Sequence, residues 1–530
     1  MTRFPALLAA LAILSAPGLV PGTALAQDAT APATEPATTD PATDPATAPL
    51  PEMAEIEQAW ARGDYVFVRK GLARHAVETG APLAQYRYGR VLLEGRGGPL
   101  DPAAAAQWLE RAVAQGHLEA TTLLARVYLS GYDPAPARDA ARAVALLSDA
   151  AARGDAEAQY YLALLYRAGD GVAQDLRQAF IWMRAAAEKF HTEAQFELSR
   201  LYARGLGTEA SPQQAEHWLR EAATAGHVQA QYFLGQALGG RDPAPPEALD
   251  WTRRAAEAGL PIAQRELGMA YLTGRGVAPN SAEALRWLDA AAAAGDPGAW
   301  SNLGYAYASG TGVARDDAKA AHWYEQASKA GLGRATLALA RFHETGRGVE
   351  TDIDTAIALY RTALDQGAAK AAERLGQLAA EGTLTGRVAP QRALPWAAAA
   401  AEAGHASAWV WLEAQAETLP EAGLYLGRLT LDSDPATAAA WLDRAAMAGV
   451  PEAQFELGRL YTTGGAGALD YIRAHQWLNI AASLGHGPAL ELRETVAQLM
   501  TPEEVAQAQR AARDWLDTGQ PQPPTPEAAE

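Results

Sequence analysis

The sequence predicts an all-α fold, a right-handed superhelix (solenoid) built from about twelve helical hairpins. Three observations predict it. The stretches 259–294 and 295–330 repeat one another at a period of 36 residues. Within the first, Ala263, Leu267 and Tyr271 recur at helical spacing, and Ala284, Trp287 and Ala291 mark one face of a second helix. Between them lies Gly274-Arg275-Gly276-Val277, whose glycines permit the positive φ of a helix stop. A hairpin of this size cannot bury its apolar face alone, so its neighbours in the stack must do so.

The N-terminus has a different character. Arg3 precedes an apolar run, Ala6 to Ser15, and Ala24-Leu25-Ala26 forms a small-x-small site before Gln27. This is the pattern of a secretory signal peptide over 1–26. The apolar run is too short for a membrane span, which needs roughly 20 residues. Residues 27–52 are rich in Pro, Ala and Thr and read as a disordered spacer. Export to the periplasm of a bacterium is expected, with secretion as the alternative.

The solenoid is expected over 53–517. Its register follows one position of the second helix: Leu72, Trp108, Leu146, Trp182, Trp218, Trp251, Trp287, Trp323, Leu359, Trp396, Trp441 and Trp477. Eight residues after each stands a stop glycine, except at Phe190. The register breaks near 405–433, where nine extra residues predict an extra or broken helix and a change of course near Thr418-Leu419-Pro420. A C-terminal cap is expected over about 486–517. Its last helix is opened by Thr501, Pro502 and Glu504 as a capping box. The tail 518–530 reads as disordered.

The recurring residues A-x-x-x-L-G-x-x-Y, G-x-G-V and A-x-x-W-x-x-x-A-A-x-x-G resemble the Sel1-like repeat, a relative of the tetratricopeptide repeat. The resemblance covers most of the chain after the spacer. It implies an adaptor that binds other proteins, in assembly, envelope regulation or signalling.

Composition narrows the chemistry. The formal charge is −18, from 44 Lys+Arg against 62 Asp+Glu. Loss of 1–26 would remove only Arg3. That balance argues against nucleic acid and anionic lipid as partners. With no cysteine, disulfides, thiolate metal sites and thiol nucleophiles are excluded. The G-x-G motifs follow helices instead of strands, so they do not suggest dinucleotide binding. The ten histidines occupy equivalent positions in different repeats and show no H-E-x-x-H. No cofactor, metal or catalytic residue is expected. The rival function classes are a β-lactam- or cell-wall-acting enzyme, as in a cysteine-rich Sel1-repeat group, and a cell-wall glycan binder.

The in-register tryptophans are expected in the core. Trp300, Trp409 and Trp411 fall on first helices and are candidates for exposed contacts. Glycines inside the first helices, at Gly235, Gly268, Gly304, Gly376 and Gly458, suggest close helix–helix approach. Six residues after the stop position stand Tyr86, Tyr160, Phe196, Tyr232 and Phe455, and ten after it Arg90, Arg126, Arg200, Arg341 and Arg459. The two positions share a helix face. Such an arginine ladder suits a protein or peptide partner with an acidic segment.

Overall fold

The computed structural model describes residues 49–132, 135–241, 244–465 and 468–518. The expected signal peptide, most of the spacer and nearly all of the tail lie outside these. The described residues hold 27 α-helices and no strand. They fall into two compact units: one extends to Ala270 and includes Gly274–Ala278, the other comprises Tyr271–Thr273 and the chain from Pro279. Each is an all-α array of hairpins.

Local chemistry sets the helix ends. Most second helices, though not Glu247–Glu257 or Pro390–Glu402, are opened by side chains that accept amide hydrogens the helix cannot satisfy itself. Asp175 accepts from Arg177 and Gln178 at 2.9 and 3.0 Å, and Asp352 from Thr355 at 2.9 Å. First helices end on left-handed glycines such as Gly169, Gly205 and Gly310. The next glycine of the loop meets the preceding repeat. A Cβ on Gly207 would collide with the carbonyl of Leu176, which opens the second helix before it.

The core is made mainly of alanine and leucine. Its deepest second-helix position lies one residue after the register tryptophan: Leu109, Leu147, Leu219, Leu288, Tyr360, Leu442 and Leu478 are all fully buried. Trp251, Trp287 and Trp477 are buried. Trp108, Trp182, Trp218, Trp323, Trp396 and Trp441 are only half-buried, contrary to expectation. One residue is a 100° turn of a helix. The tryptophan therefore sits at the border of the buried arc, where its large ring is covered on one side.

Gly235, Gly304, Gly376 and Gly458 do mark close approach. A Cβ on Gly304 would stand 2.7 Å from the Tyr324 ring, and one on Gly376 would strike the Trp396 carbonyl.

The register break contains two helices, Ala406–Gln415 and Pro420–Thr430. The second pairs with Pro435–Met447 as an ordinary hairpin, so the first is the additional element. At the C-terminus Thr501 and Glu504 cap each other reciprocally: the Thr501 amide donates to the Glu504 carboxylate at 2.7 Å, and the Glu504 amide to the Thr501 hydroxyl at 3.2 Å.

Candidate partner-binding face

The first helices meet through a contact that the histidine positions alone did not suggest. Tyr86 stacks on His117, Tyr160 on His191, Phe196 on His227 and Phe455 on His486, with ring centroids 4.9, 4.7, 4.4 and 4.6 Å apart. Each histidine is the N-cap of the next first helix. In three of them Nδ1 accepts an amide hydrogen, from Ala120, Ala194 and Ala230 at 3.3, 3.2 and 3.1 Å. That leaves the ring proton on Nε2. Burial holds His191 and His227 below the ordinary imidazole value, against the pull of Glu193 on both.

A sequence signal for this contact exists. Each stacking histidine stands 31 residues after its aromatic partner. Tyr232 departs from the rule because Leu260, not a histidine, stands at the capping position. Tyr232 packs on Phe233 instead, at 5.4 Å.

The aromatic row is therefore partly consumed inside the array. Tyr160 and Phe196 are buried, whereas Tyr86, Tyr232 and Phe455 are half-buried. The arginine row is largely paired. Arg90 bridges Glu94 at 2.7 Å. Arg126 reaches Glu157 of the next first helix at 2.8 Å. Arg200 and Arg167 both hold Glu197, each at 2.6 Å. Arg459 and Arg428 share Glu456 at 2.8 and 3.2 Å. Arg341 is exposed on the helix that also carries Glu344.

The off-register tryptophans are half-buried, not exposed. Trp300 donates its Nε1–H to the Ala292 carbonyl at 3.0 Å. In other repeats a glutamine does this at the same place: Gln159 to Ala151 and Gln454 to Ala446, both at 3.0 Å. The contact adds a second donor to a carbonyl at the end of a second helix that already accepts from the stop glycine amide. Trp409 and Trp411 pack on the cluster around Leu394 and Leu412.

One cavity opens on the face of the first unit, with a volume of about 440 Å³. Tyr160, Glu193, Phe196, Glu197 and the turn Gly226–Gln229 line it. It thus combines ring faces, two carboxylates and a helix start. No group of three metal-ligating side chains occurs among the described residues. No helix among them is long and apolar enough to cross a membrane.

The family profile of the Sel1 repeat matches eleven segments between residues 82 and 486: 82–117, 118–155, 156–189, 192–227, 228–260, 261–296, 301–332, 333–367, 369–405, 422–450 and 451–486. They cover well over half of the chain. The chain belongs to the Sel1-repeat family. Its first hairpin precedes the matched segments, and the additional helix Ala406–Gln415 falls between two of them. Among solved structures, the chain is similar to c5321, a protective antigen of uropathogenic Escherichia coli with an SLR fold. The two share 25% identity, with 87% of this chain and 99% of that one covered and a TM-score of 0.56. A Sel1 repeat protein from Oxalobacter formigenes is 23% identical over 78% of this chain and 94% of its own, with a TM-score of 0.40. No curated protein matches the chain.

Proposed function

We propose that this Sel1-repeat chain is an exported scaffold of the bacterial envelope that binds a protein partner on the first-helix face of its first unit. Sel1 repeats in general mediate protein–protein interaction. The observation that carries the choice of face is the histidine–aromatic stacking. It fixes successive first helices side by side and leaves their glutamate and arginine side chains reaching outward. Fixed side chains lose less entropy on binding. Arg3, the apolar run Ala6–Ser15 and Ala24-Leu25-Ala26 support export.

An acidic partner segment draws less support from this geometry. It would have to displace Glu94, Glu157 and Glu197 from their arginines, and each exposed pair contributes only about 0.2–1 kcal/mol. A scaffold is favoured over an enzyme because the face presents ion pairs and ring stacks, not a nucleophile held by a base.

The test is photocrosslinking in cells. A crosslinker at Arg90 or Arg126 should capture a protein, whereas one at exposed Arg184 on a second helix should not. Equal capture at both would overturn the choice of face, and no capture at all would overturn the scaffold itself. Sequencing of the mature N-terminus checks export, with Gln27 expected first.

A further inference from the structure

Three successive seams of the first unit share one clamp. The residue that caps the C-terminus of a second helix donates to the carbonyl of the stop residue one repeat earlier. Gln115 donates to Gly80 at 3.0 Å, Arg153 to Gly116 at 2.6 Å, and the Lys189 ammonium to Gly154. The clamp lapses at the next two seams. Ala225 and Ala258 stand where the donor would be, and the Phe190 and Gly226 carbonyls accept no hydrogen bond among the described residues. The clamp is also missing among the described residues of the second unit, where Ala330, Ala403 and Ala448 hold the donor's place. Gly226 is also a wall of the 440 Å³ cavity.

That cavity has the charge of a cation site. The Glu193 side chain is 60% exposed, and the closest basic atom paired with it is His191 Nδ1 at 4.0 Å. That nitrogen accepts the Ala194 amide hydrogen and so carries no proton. Among the described residues Glu193 is therefore a carboxylate without a cationic partner. Glu197 adds a second carboxylate, already held by Arg167 and Arg200. The buried Tyr160 and Phe196 rings, stacked on His191 and His227, form part of the cavity's apolar wall.

We propose that this cavity takes a basic side chain, lysine or arginine, from the protein partner. The cation sits between Glu193 and the Gly226 carbonyl, and its stem lies along Tyr160 and Phe196. This rests on the protein-binding reading above and names the partner's chemistry. Lys189 and Arg153 already place a cation on the matching carbonyl two and three repeats earlier. The partner supplies what Ala258 lacks. The formal charge of −18 draws a basic segment toward the chain. An anion at the Val228–Gln229 helix start would face both glutamates.

The experiment titrates the full-length protein, at low salt, into a fluorescent Ala-Lys-Ala-Lys-Ala-Lys peptide and follows anisotropy. The lysine peptide should bind, and its glutamate counterpart should not. Glu193→Gln should weaken binding about fivefold or more, as expected for loss of one charge-assisted contact. Ala258→Lys should do the same by filling the cavity from within. Glu452→Gln, which removes the same charge in the second unit, should leave binding unchanged. Circular dichroism should be the same for all variants. Unchanged binding by both Glu193→Gln and Ala258→Lys, or equal binding of the glutamate peptide, overturns the proposal. If a crosslinked partner persists in Glu193→Gln, the cation site fails while the scaffold stands. If no partner crosslinks at all, the scaffold itself fails.

Discussion

Phe196 of one repeat lies flat against His227 of the next, with an interplanar angle of 25°. The same imidazole caps a helix through Nδ1. Protonation of that nitrogen would remove the cap, and burial already disfavours the charged ring.

Stability should therefore depend on pH. An unfolded imidazole takes up its proton as pH falls through about 6.5. Folded His191 and His227 resist, because burial lowers both. The unfolded chain then binds more protons, so this stability is present above about pH 6.5 and is lost as pH falls through the lower folded values. Each imidazole contributes a slope of at most about 1.4 kcal/mol per pH unit. Urea denaturation between pH 7.5 and 5.5 measures it. His227→Asn keeps a capping side chain and removes the titration, so its slope should be shallower. An unchanged slope would remove His227 from the account.

Gly376→Ala should destabilise the second unit by about 1–3 kcal/mol. An alanine in a helix interior ordinarily gains about 1 kcal/mol over glycine. Here its methyl would strike the Trp396 carbonyl of the paired helix. A thermal transition raised by the substitution would show that the two helices can part cheaply.

Phe190→Gly should act in the opposite direction. Phe190 has φ 62°, the only positive value at a non-glycine among the described residues, and its surface is 80% exposed. Glycine adopts that conformation without the strain, so a gain of about 1 kcal/mol is expected. Little burial is lost to offset it. A lower denaturation midpoint would mean that the ring makes a contact absent from this structure.

Tyr360, Glu344 and Arg374 should behave as one unit. The buried Tyr360 hydroxyl donates to Glu344, which Arg374 of the next first helix also holds. Glu344 stays below the ordinary carboxylate value although burial works against it, through Arg374 and then Tyr360. Arg374→Ala should cost about 3 kcal/mol, Tyr360→Phe about 1–2 kcal/mol. The double variant should fall short of their sum, measured by denaturation. Full additivity would mean that the two contacts are independent.

The hairpin period, the stops and the terminal capping box were legible because each depends on residues close in sequence. Thr501 and Glu504 are three residues apart, and their reciprocal bonds follow from spacing alone. The face of the first helices was less legible. Arg126 and Tyr160 were placed correctly on their helices, but their partners, Glu157 and His191, lie 31 residues further on. Reading one helix at a time treats those side chains as outward-facing. Trp300 looked like a surface aromatic because its register differs from the other tryptophans. Its true counterparts are glutamines such as Gln159, related by the hydrogen they donate.

The seam clamps from Gln115, Arg153 and Lys189 bear on how such a chain is made. Each contact closes as soon as one further hairpin is available, whatever lies downstream. The mean sequence separation of contacts therefore stays constant as the array lengthens. A chain emerging N-terminus first, from a ribosome or a translocation pore, can lock each completed hairpin onto the last. The growing end then exposes about one hairpin's worth of apolar surface at any moment. At Phe190 and Gly226, and again at Gly295 and Gly404 in the second unit, alanine stands where the lock would be, so assembly runs past and leaves these backbone carbonyls open among the described residues.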